Sequence, residues 1–259
     1  MPAFLQPIIA ALCLLGLSLC AQAQTLRIVS ESWAPYIYEE QDTLKGRDYE
    51  AAQIVLQRLG VEVEWQLLPW KRCLMAIELG QADAILDIFR TPEREVSMIY
   101  PDEPMSQIEF VLFYANARPY PFRQLPDLRG LKVGVSAGYW YANRQFRDST
   151  LFTREAAPSH SANLGKLLRD RVDLVINDRR GGTFLIKQMG IQADISHHPQ
   201  VISRDQLYLG LRRSAGLETL AQRFSNELRR FKREPAYATL SARYEPRAMT
   251  HATGSATAR

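Results

Sequence analysis

The sequence predicts an α/β protein in which two lobes enclose a ligand cleft. Short apolar runs of strand character alternate with amphipathic segments of helical character, which is typical of a parallel sheet covered by helices. The alternation occurs as two successive series, and the second starts near residue 124. Connections near 115–124 and 198–206 join the two series, and small ligands commonly bind in a cleft between two lobes.

The first series is predicted from periodicity and from residues that end helices. Tyr49, Ala52 and Leu59 recur at helical spacing, and Gly60 follows them as a stop. Residues 61–68 alternate between apolar and polar side chains, as a half-buried strand does. The predicted elements are strands at 26–30, 61–68, 83–89 and 109–115, and helices at 47–60 and from Pro69 to Gly80.

The second series repeats this pattern and ends in a long amphipathic helix. Leu217, Phe224, Leu228 and Phe231 recur at helical spacing, so one face of that helix is expected to pack onto a core. The predicted elements are strands at 131–136, 150–157, 172–178 and 206–213, and helices after Gly138, from about Ser161 to Arg171, at 182–190 and from Leu217.

The two ends of the chain differ from the lobes. The apolar run from about Ile8 to Cys20 is too short to span a bilayer, and Ala21 and Ala23 after it are typical of a signal peptidase site. We therefore expect export to the periplasm. The expected organisation is a signal peptide at 1–23, a first lobe at 24–115 plus 205–244, a second lobe at 116–204, and a disordered tail at 245–259.

Composition narrows the possible partners. The chain has 32 basic and 28 acidic residues, a net charge of +4, and its basic residues are dispersed, so no nucleic-acid partner is expected. After removal of the signal peptide Cys73 is the remaining cysteine, so no disulfide can form within the chain and a buried, inert thiol is expected. His197 and His198 are neighbours that face opposite sides of a strand, so we expect no metal site, and no cofactor is expected.

Four segments together carry a resemblance to a known family. They are "SWAPYIYEEQDTLKGRDYEAAQIVLQRLG", "GQADAILDIFRTPEREVSMIYPDEP", "LRGLKVGVSAGYW" and "RVDLVINDRRGG", in the family's order and spacing. The chain resembles family 3 extracellular solute-binding proteins, the periplasmic components of polar amino acid ABC transporters. The resemblance implies the type II periplasmic-binding-protein fold, two α/β lobes around a ligand cleft, and we expect a monomer.

The resemblance also implies how a zwitterionic ligand is bound. Arg94, in the Thr-x-x-Arg step, would pair with the α-carboxylate, because a planar guanidinium donates two parallel hydrogen bonds to it. Asp178 would hold the α-ammonium from the other lobe, so that the ligand ties the two lobes together. Trp33 would lie along the ligand side chain, with Tyr36 as a further wall. The helix expected after Gly138 would point its free amides at the carboxylate.

Three of these residues have structural alternatives. Arg94 could be a solvated or surface-paired arginine on a polar turn. Asp178 could be the N-cap of the helix that follows it. Trp33 could pack in the core or at a hinge, and Trp70 is a further candidate for the cleft wall.

The chain departs from the family's usual residues at two points in the cleft. Members typically carry small hydroxyl residues where this chain has residues 87–90, and often Gly-Thr or Gly-Ser where it has residues 138–141. Phe89, Tyr139 and Trp140 therefore join the candidate ligand-binding residues. We expect the pocket to be narrower and more aromatic than is usual.

The predicted function is a non-enzymatic periplasmic protein that captures a small amino acid or related zwitterion and delivers it to an ABC permease. Alternatives on the same fold are a periplasmic enzyme similar to cyclohexadienyl dehydratase and a standalone sensor. The motif "GVSAG" adds a serine hydrolase, with Ser136 as nucleophile and Asp178 and His197 or His198 as acid and base. The bulky residues 139–141 that follow the motif disfavour this last alternative.

Overall fold

The computed structural model describes residues 25–245, which form one ten-stranded sheet and a two-stranded hairpin. The predicted signal peptide and all but the first residue of the predicted tail lie outside the described residues. The strands are β1 (Leu26–Ser30), β2 (Tyr38–Glu40), β3 (Thr43–Lys45), β4 (Val63–Leu67), β5 (Ala84–Phe89), β6 (Met98–Ile99), β7 (Ser106–Ala115), β8 (Lys132–Ser136), β9 (Thr153–Ala157), β10 (Leu174–Asp178), β11 (Ile195–His197) and β12 (Ser203–Arg212).

Helices cover both faces of the large sheet. The α-helices of the described residues are α1 (Arg47–Arg58), α2 (Trp70–Glu78), α3 (Pro92–Glu95), α4 (Arg144–Arg147), α5 (His160–Leu168), α6 (Arg179–Gln188), α7 (Glu218–Phe231) and α8 (Pro235–Tyr244). Short 3-10 turns occur at Leu125–Leu128 and Arg213–Ala215.

The first half of the sheet has the order β4-β1-β5-β12. Strands β4, β1 and β5 are parallel, and β12 is antiparallel to β5. Successive side chains of a strand face opposite sides of the sheet. Ile28 of β1 accordingly packs against α1 and α7, whereas Val29 packs against Cys73 and Ile77 of α2. Cys73 is a buried free thiol, as predicted.

The second half of the sheet has the order β7-β10-β8-β9. Strand β8 is parallel to β9 and β10, and β7 is antiparallel to β10. One face is covered by α5 and α6, which bury Leu164 and Ile186 against Val175. On the other face Ile176 packs against Phe146 of α4.

The two halves are joined through the long strands β7 and β12. Ser106–Phe110 of β7 pairs with Ser203–Leu207 of β12, and the remainder of each strand pairs within one half. The chain therefore crosses to the second half in β7 and returns in β12. The lobe boundaries at 115/116 and 204/205 stay a prediction.

The prediction of an α/β fold is confirmed, but the helix predicted directly after Gly138 is wrong. Residues 137–143 are irregular, and α4 begins at Arg144, where Asn143 Oδ1 accepts a hydrogen bond from the Phe146 amide at 3.1 Å. The physical reason is a tertiary packing contact. Tyr141 is buried between the rings of Phe110 and Phe146, so the chain turns into the core where the local pattern favours a helix.

Candidate functional site

Five aromatic rings meet between the two halves and are called the cleft cluster here. The Tyr139 ring lies at their centre, with centroid distances of 5.6 Å to Trp33, 5.9 Å to Trp70, 6.0 Å to Phe89 and 5.3 Å to His160. Trp33, Trp70 and Phe89 belong to the first half, and Tyr139 and His160 to the second. Tyr139 therefore occupies the middle of the interface between the halves.

The topology of the sheet explains why these rings converge. Trp33 follows β1, and Phe89 is the last residue of β5, which is parallel to β1. Tyr139 follows β8, and His160 opens the helix after β9, which is parallel to β8. The carboxyl ends of parallel strands lie at one edge of a sheet, so each pair of strands brings its two residues together within its own half. Strands β8 and β9 run opposite to β1 and β5, and the ring contacts show that the two carboxyl edges face each other across one crevice.

Arg94 lies at one side of the cleft cluster. Its guanidinium is 5.5 Å from the centroid of the Trp70 ring, and its Nη1 donates a hydrogen bond to the Phe89 carbonyl at 3.0 Å. Within residues 25–245 no carboxylate forms an ion pair with it. Burial lowers its pKa. Arg94 is therefore a half-buried cation with free donors, which differs from the surface-paired alternative.

Asp178 lies at the other side of the cleft cluster, at the end of β10, and is 1% exposed. Its Oδ2 accepts hydrogen bonds from Tyr36 Oη and from the Gly181 amide, both at 2.7 Å. The N-cap alternative is thus confirmed. Its Oδ1 has no partner among the described residues, and burial raises the pKa of the carboxyl. Asp178 caps α6, bonds across the cleft to Tyr36, and keeps one oxygen free.

Trp33 is 5% exposed and packs edge-to-face against Tyr36 and Phe89. A Cβ at Gly181 would lie 2.8 Å from Trp33 Nε1, so the close approach of α6 to the indole requires glycine at that position. Trp33 Nε1 has no acceptor within the part of the chain that the structure describes. The indole therefore packs in the interface, as one alternative supposed, and also presents an unused donor there.

A row of polar side chains crosses the cleft beside these rings. Tyr139 Oη lies 3.1 Å from Glu31 Oε2 and 2.9 Å from His160 Nε2, and His160 Nδ1 lies 3.3 Å from Ser136 Oγ. Burial raises the pKa of Glu31 to about 7 and lowers that of His160 to about 4. Glu31 is therefore the member of this row that titrates near neutral pH.

A cavity of about 440 Å³ opens next to this row, between the halves. Its charged lining residues are Glu31 and Glu39, and none of the described lining residues is Lys or Arg. Arg94 and Asp178 do not line it. The Tyr139 ring touches Trp70 on the Arg94 side and Glu31 and His160 on the cavity side, so it separates Arg94 from the cavity.

A buried polar network behind the cleft cluster was not predicted from the sequence. Asp48 accepts hydrogen bonds from Arg47 Nε, at 2.9 Å, and from Ser106 Oγ. Asp87 is buried near Asp48 with a positive φ of 62°, and neither of its oxygens has a hydrogen-bond donor among the described residues. Burial and the negative charge of Asp48 raise the pKa of Asp87 well above its ordinary value, which favours the protonated form.

Two predicted ligand-binding residues, Trp140 and Gly138, do not have the roles that the sequence predicted. Trp140 lies under the guanidinium of Arg147, 4.0 Å from the ring centroid, and has no place in the cleft cluster. Gly138 has a φ of 80° and its carbonyl accepts a hydrogen bond from Trp70 Nε1 at 3.3 Å. It begins no helix, so the predicted array of free helix amides is wrong at this position.

The hydrolase alternative named the wrong histidines. Ser136 Oγ lies near His160, whereas His197 contacts Arg179 and His198 packs against the rings of Tyr114 and Phe122. His160 could not be identified from the sequence because its contact with Ser136 forms between the end of β8 and the start of α5. Asp178 bonds to Tyr36 and Gly181, so it orients no histidine.

Glu31→Gln is predicted to stabilise the ligand-free protein at pH 8. Because the folded-state pKa of Glu31 lies above its unfolded value of 4.5, the native state binds more protons, and wild-type stability falls as pH rises from about 4.5 to 7. The variant lacks this fall and should exceed the wild type at pH 8 by about 3 kcal/mol. Urea unfolding at pH 4.5 and 8 measures the stability of both proteins, and Glu39→Gln, at an exposed position, is the control. If Glu31→Gln and the wild type differ in stability by the same amount at both pH values, the prediction is wrong.

Residues 25–245 hold no helix long and apolar enough to cross a membrane. Over the same residues, no group of three or more His, Cys, Asp or Glu side chains is arranged to bind a metal ion.

Comparison with known proteins finds similar chains, including the following three. An arginine-binding extracellular protein of Bacillus subtilis (strain 168) is 27% identical over 110 residues. The match covers 42% of this chain and 42% of the relative, so the chain spans less than half of the relative's length. A histidine kinase sensor domain with similarity to periplasmic binding proteins matches with a TM-score of 0.75 and 19% identity, covering 86% of this chain and 96% of that one. The holo arginine-binding protein of T. maritima matches with a TM-score of 0.71 and 18% identity, covering 85% and 96%.

At such identities the structural matches establish the fold, which is that of periplasmic binding proteins and confirms the predicted type. The sequence provides the family: the model of the bacterial extracellular solute-binding proteins, family 3, matches residues 26–246, nearly all of the chain after the predicted signal peptide. This protein belongs to the bacterial extracellular solute-binding proteins, family 3.

Proposed function

We propose that this protein captures an amino acid in the cleft between its halves, in the periplasm, and delivers it to an ABC permease. The observation that carries the proposal is Arg94, a half-buried guanidinium with free donors and no carboxylate partner among the described residues. Leaving such a cation unpaired costs free energy, which a ligand carboxylate offsets through two charge-assisted hydrogen bonds.

The opposite side of the cleft cluster supports a zwitterionic ligand. The free Oδ1 of Asp178 is an acceptor for an α-ammonium group, and an ammonium beside it favours the ionised carboxylate. Trp33 supplies an aromatic face for the ligand side chain and an unused Nε1 donor. Because Arg94 and Asp178 belong to different halves, a ligand that reaches both stabilises the closed arrangement.

The cavity favours a ligand with a cationic side chain. Glu31 and Glu39 line it with no basic residue among the described lining, so a guanidinium or ammonium group fits its charge. The B. subtilis and T. maritima relatives are named for arginine, which makes L-arginine the first compound to test. Since the Tyr139 ring lies between the cavity and Arg94, a ligand that reaches both must extend past this ring.

A thermal-shift panel of amino acids, polyamines and small carboxylates tests the proposal. A ligand present at 100 times its Kd stabilises the folded state by about 2.7 kcal/mol, which gives a shift of several degrees. We expect L-arginine or another cationic amino acid to give the largest shift. If every amino acid leaves the melting temperature unchanged, the proposed function is wrong.

Export and delivery are tested in the producing bacterium. Protein recovered from the periplasm is expected to begin at Gln24, after cleavage behind Ala23, and to be a monomer. Deletion of the gene is expected to reduce uptake of the ligand found in the panel. Uptake at the wild-type rate would separate binding from transport and favour a sensor.

A second candidate, an enzyme on the same fold, is favoured by the titratable groups of the cleft. Tyr139 Oη is hydrogen-bonded to both Glu31 and His160 beside the cavity. A general acid or base must lie within hydrogen-bond reach of its substrate, and a ligand in the cavity would be close to these groups. NMR spectra of each stabilising compound, incubated with the protein in D₂O, test this candidate. Unchanged spectra after a day support binding without catalysis.

A further inference from the structure

Four side chains form one hydrogen-bonded row across the cleft, in the order Glu31, Tyr139, His160, Ser136. Tyr139 Oη has a single proton but two neighbours, Glu31 Oε2 at 3.1 Å and His160 Nε2 at 2.9 Å. It can donate to only one of them, so the direction of the row depends on the protonation states at its two ends.

Two proton arrangements satisfy every member of the row. With Glu31 ionised, Tyr139 donates to Glu31, His160 Nε2–H donates to Tyr139, and Ser136 donates to Nδ1. With Glu31 protonated, Glu31 donates to Tyr139, Tyr139 donates to His160 Nε2, and Nδ1–H donates to Ser136. His160 is neutral in both, as its lowered pKa of about 4 requires, and only its tautomer changes.

We infer that Tyr139 and His160 are specificity-determining residues that act through Glu31: their hydrogen bonds let Glu31 lose its proton when a cationic ligand group binds beside it. Glu31 lines the cavity, so a guanidinium or ammonium there meets an acceptor that can become a full negative charge. An uncharged side chain of the same shape obtains no such gain. The inference rests on the proposed function for its ligand.

The groups that face Glu31 come from several elements. They are Tyr139 after β8, His160 of α5, the Cys73 thiol and the Trp70 amide of α2, and Glu39 of β2 across the same cavity. Burial raises the pKa of Glu31 to about 7 against the hydrogen bond from Tyr139, which lowers it. The thiol stays protonated, because burial and Glu31 raise the Cys73 pKa to about 12. Glu31, with its pKa of about 7, therefore changes charge between pH 5.5 and 8.5.

Calorimetric titration with L-arginine and with L-citrulline, its uncharged isostere, tests the inference. We expect arginine affinity to rise at least about tenfold from pH 5.5 to pH 8.5, because binding below the pKa of Glu31 requires loss of its proton. Titration in two buffers of different ionisation enthalpy is expected to show release of about one proton at pH 5.5. Citrulline affinity should stay constant. Arginine binding that is equally flat with pH overturns the inference and leaves the proposed function standing.

Two variants distinguish the effect of the hydrogen-bonded row on the pH profile from an effect of side-chain packing. Tyr139→Phe keeps the ring and removes the hydrogen bond that lowers the Glu31 pKa, so the midpoint of the pH profile moves up. His160→Phe keeps the stacking on Trp33 and leaves the Tyr139 proton with Glu31 alone, so the midpoint moves down. His198→Gln, outside the row, is the matched control. Midpoints equal to that of the wild type in both variants contradict the inference.

The row is also testable without ligand, which distinguishes its failure from that of the proposed function. The pH window over which urea-unfolding stability falls reports the Glu31 pKa directly. We expect Tyr139→Phe to extend this window to higher pH. If arginine fails to bind while the window moves, the choice of ligand is wrong and the row is supported; an unmoved window overturns the row.

Discussion

Arg94→Gln is expected to weaken binding of the amino acid ligand at least about 100-fold, close to 3 kcal/mol. The guanidinium lies in a half-buried aromatic setting, where the loss of a charge-assisted pair leaves the ligand carboxylate desolvated and unpaired. The effect on stability should be about 1 kcal/mol or less, since the Arg94 side chain makes one hydrogen bond, to the Phe89 carbonyl. Isothermal titration at pH 8 measures the affinity, and urea unfolding measures the stability.

Arg90→Gln is the matched control for this prediction. Arg90 lies four positions earlier, pairs with Glu95, and has a side chain that is 48% exposed, so its loss should change affinity by no more than about twofold. An Arg94→Gln protein that binds within about threefold of the wild type would show that the carboxylate is held elsewhere. A loss of affinity in both variants would point to the net charge of the cleft and away from a specific pair.

The fold and two residues of the candidate site could be predicted because their signals are local. Arg94 and Asp178 were found through short motifs, each carried by a few consecutive residues after a strand. The strand–helix alternation likewise depends on periodicities of 2 and 3.6 residues, which a short window contains. These features need no knowledge of which strand lies next to which.

Glu31 and His160 escaped prediction because their roles arise from tertiary contacts. Glu31 meets Tyr139 across 108 positions of sequence, and only the closeness of the two halves brings them together. The same reason explains the wrong helix after Gly138, where the buried Tyr141 outweighs local propensity. Tyr139 itself was singled out as a departure from the family, although its place between the cavity and Arg94 was visible only in the structure.

Asp178 is expected to give different results with asparagine and with alanine. Asp178→Asn keeps a polar side chain for Tyr36 Oη and the Gly181 amide, so the folded state should lose about 1 kcal/mol or less, whereas affinity should fall about 100-fold with the loss of negative charge. Asp178→Ala removes the N-cap of α6 and leaves a buried Tyr36 hydroxyl without an acceptor. The sum is a loss of about 2 to 4 kcal/mol in the free energy of unfolding.

The double variant Asp178→Ala with Tyr36→Phe resolves that sum. Removing the orphaned hydroxyl should restore about 1 to 2 kcal/mol relative to Asp178→Ala alone, since both partners of a buried hydrogen bond are then absent. Urea unfolding of the four proteins of the cycle measures the coupling. Wild-type affinity in Asp178→Asn, together with the stability loss in Asp178→Ala, would leave Asp178 as a cap and cross-cleft link only. The α-ammonium of the ligand would then require another acceptor, and Glu31 would be the next residue to test because it lines the cavity and bonds to Tyr139 of the cleft cluster.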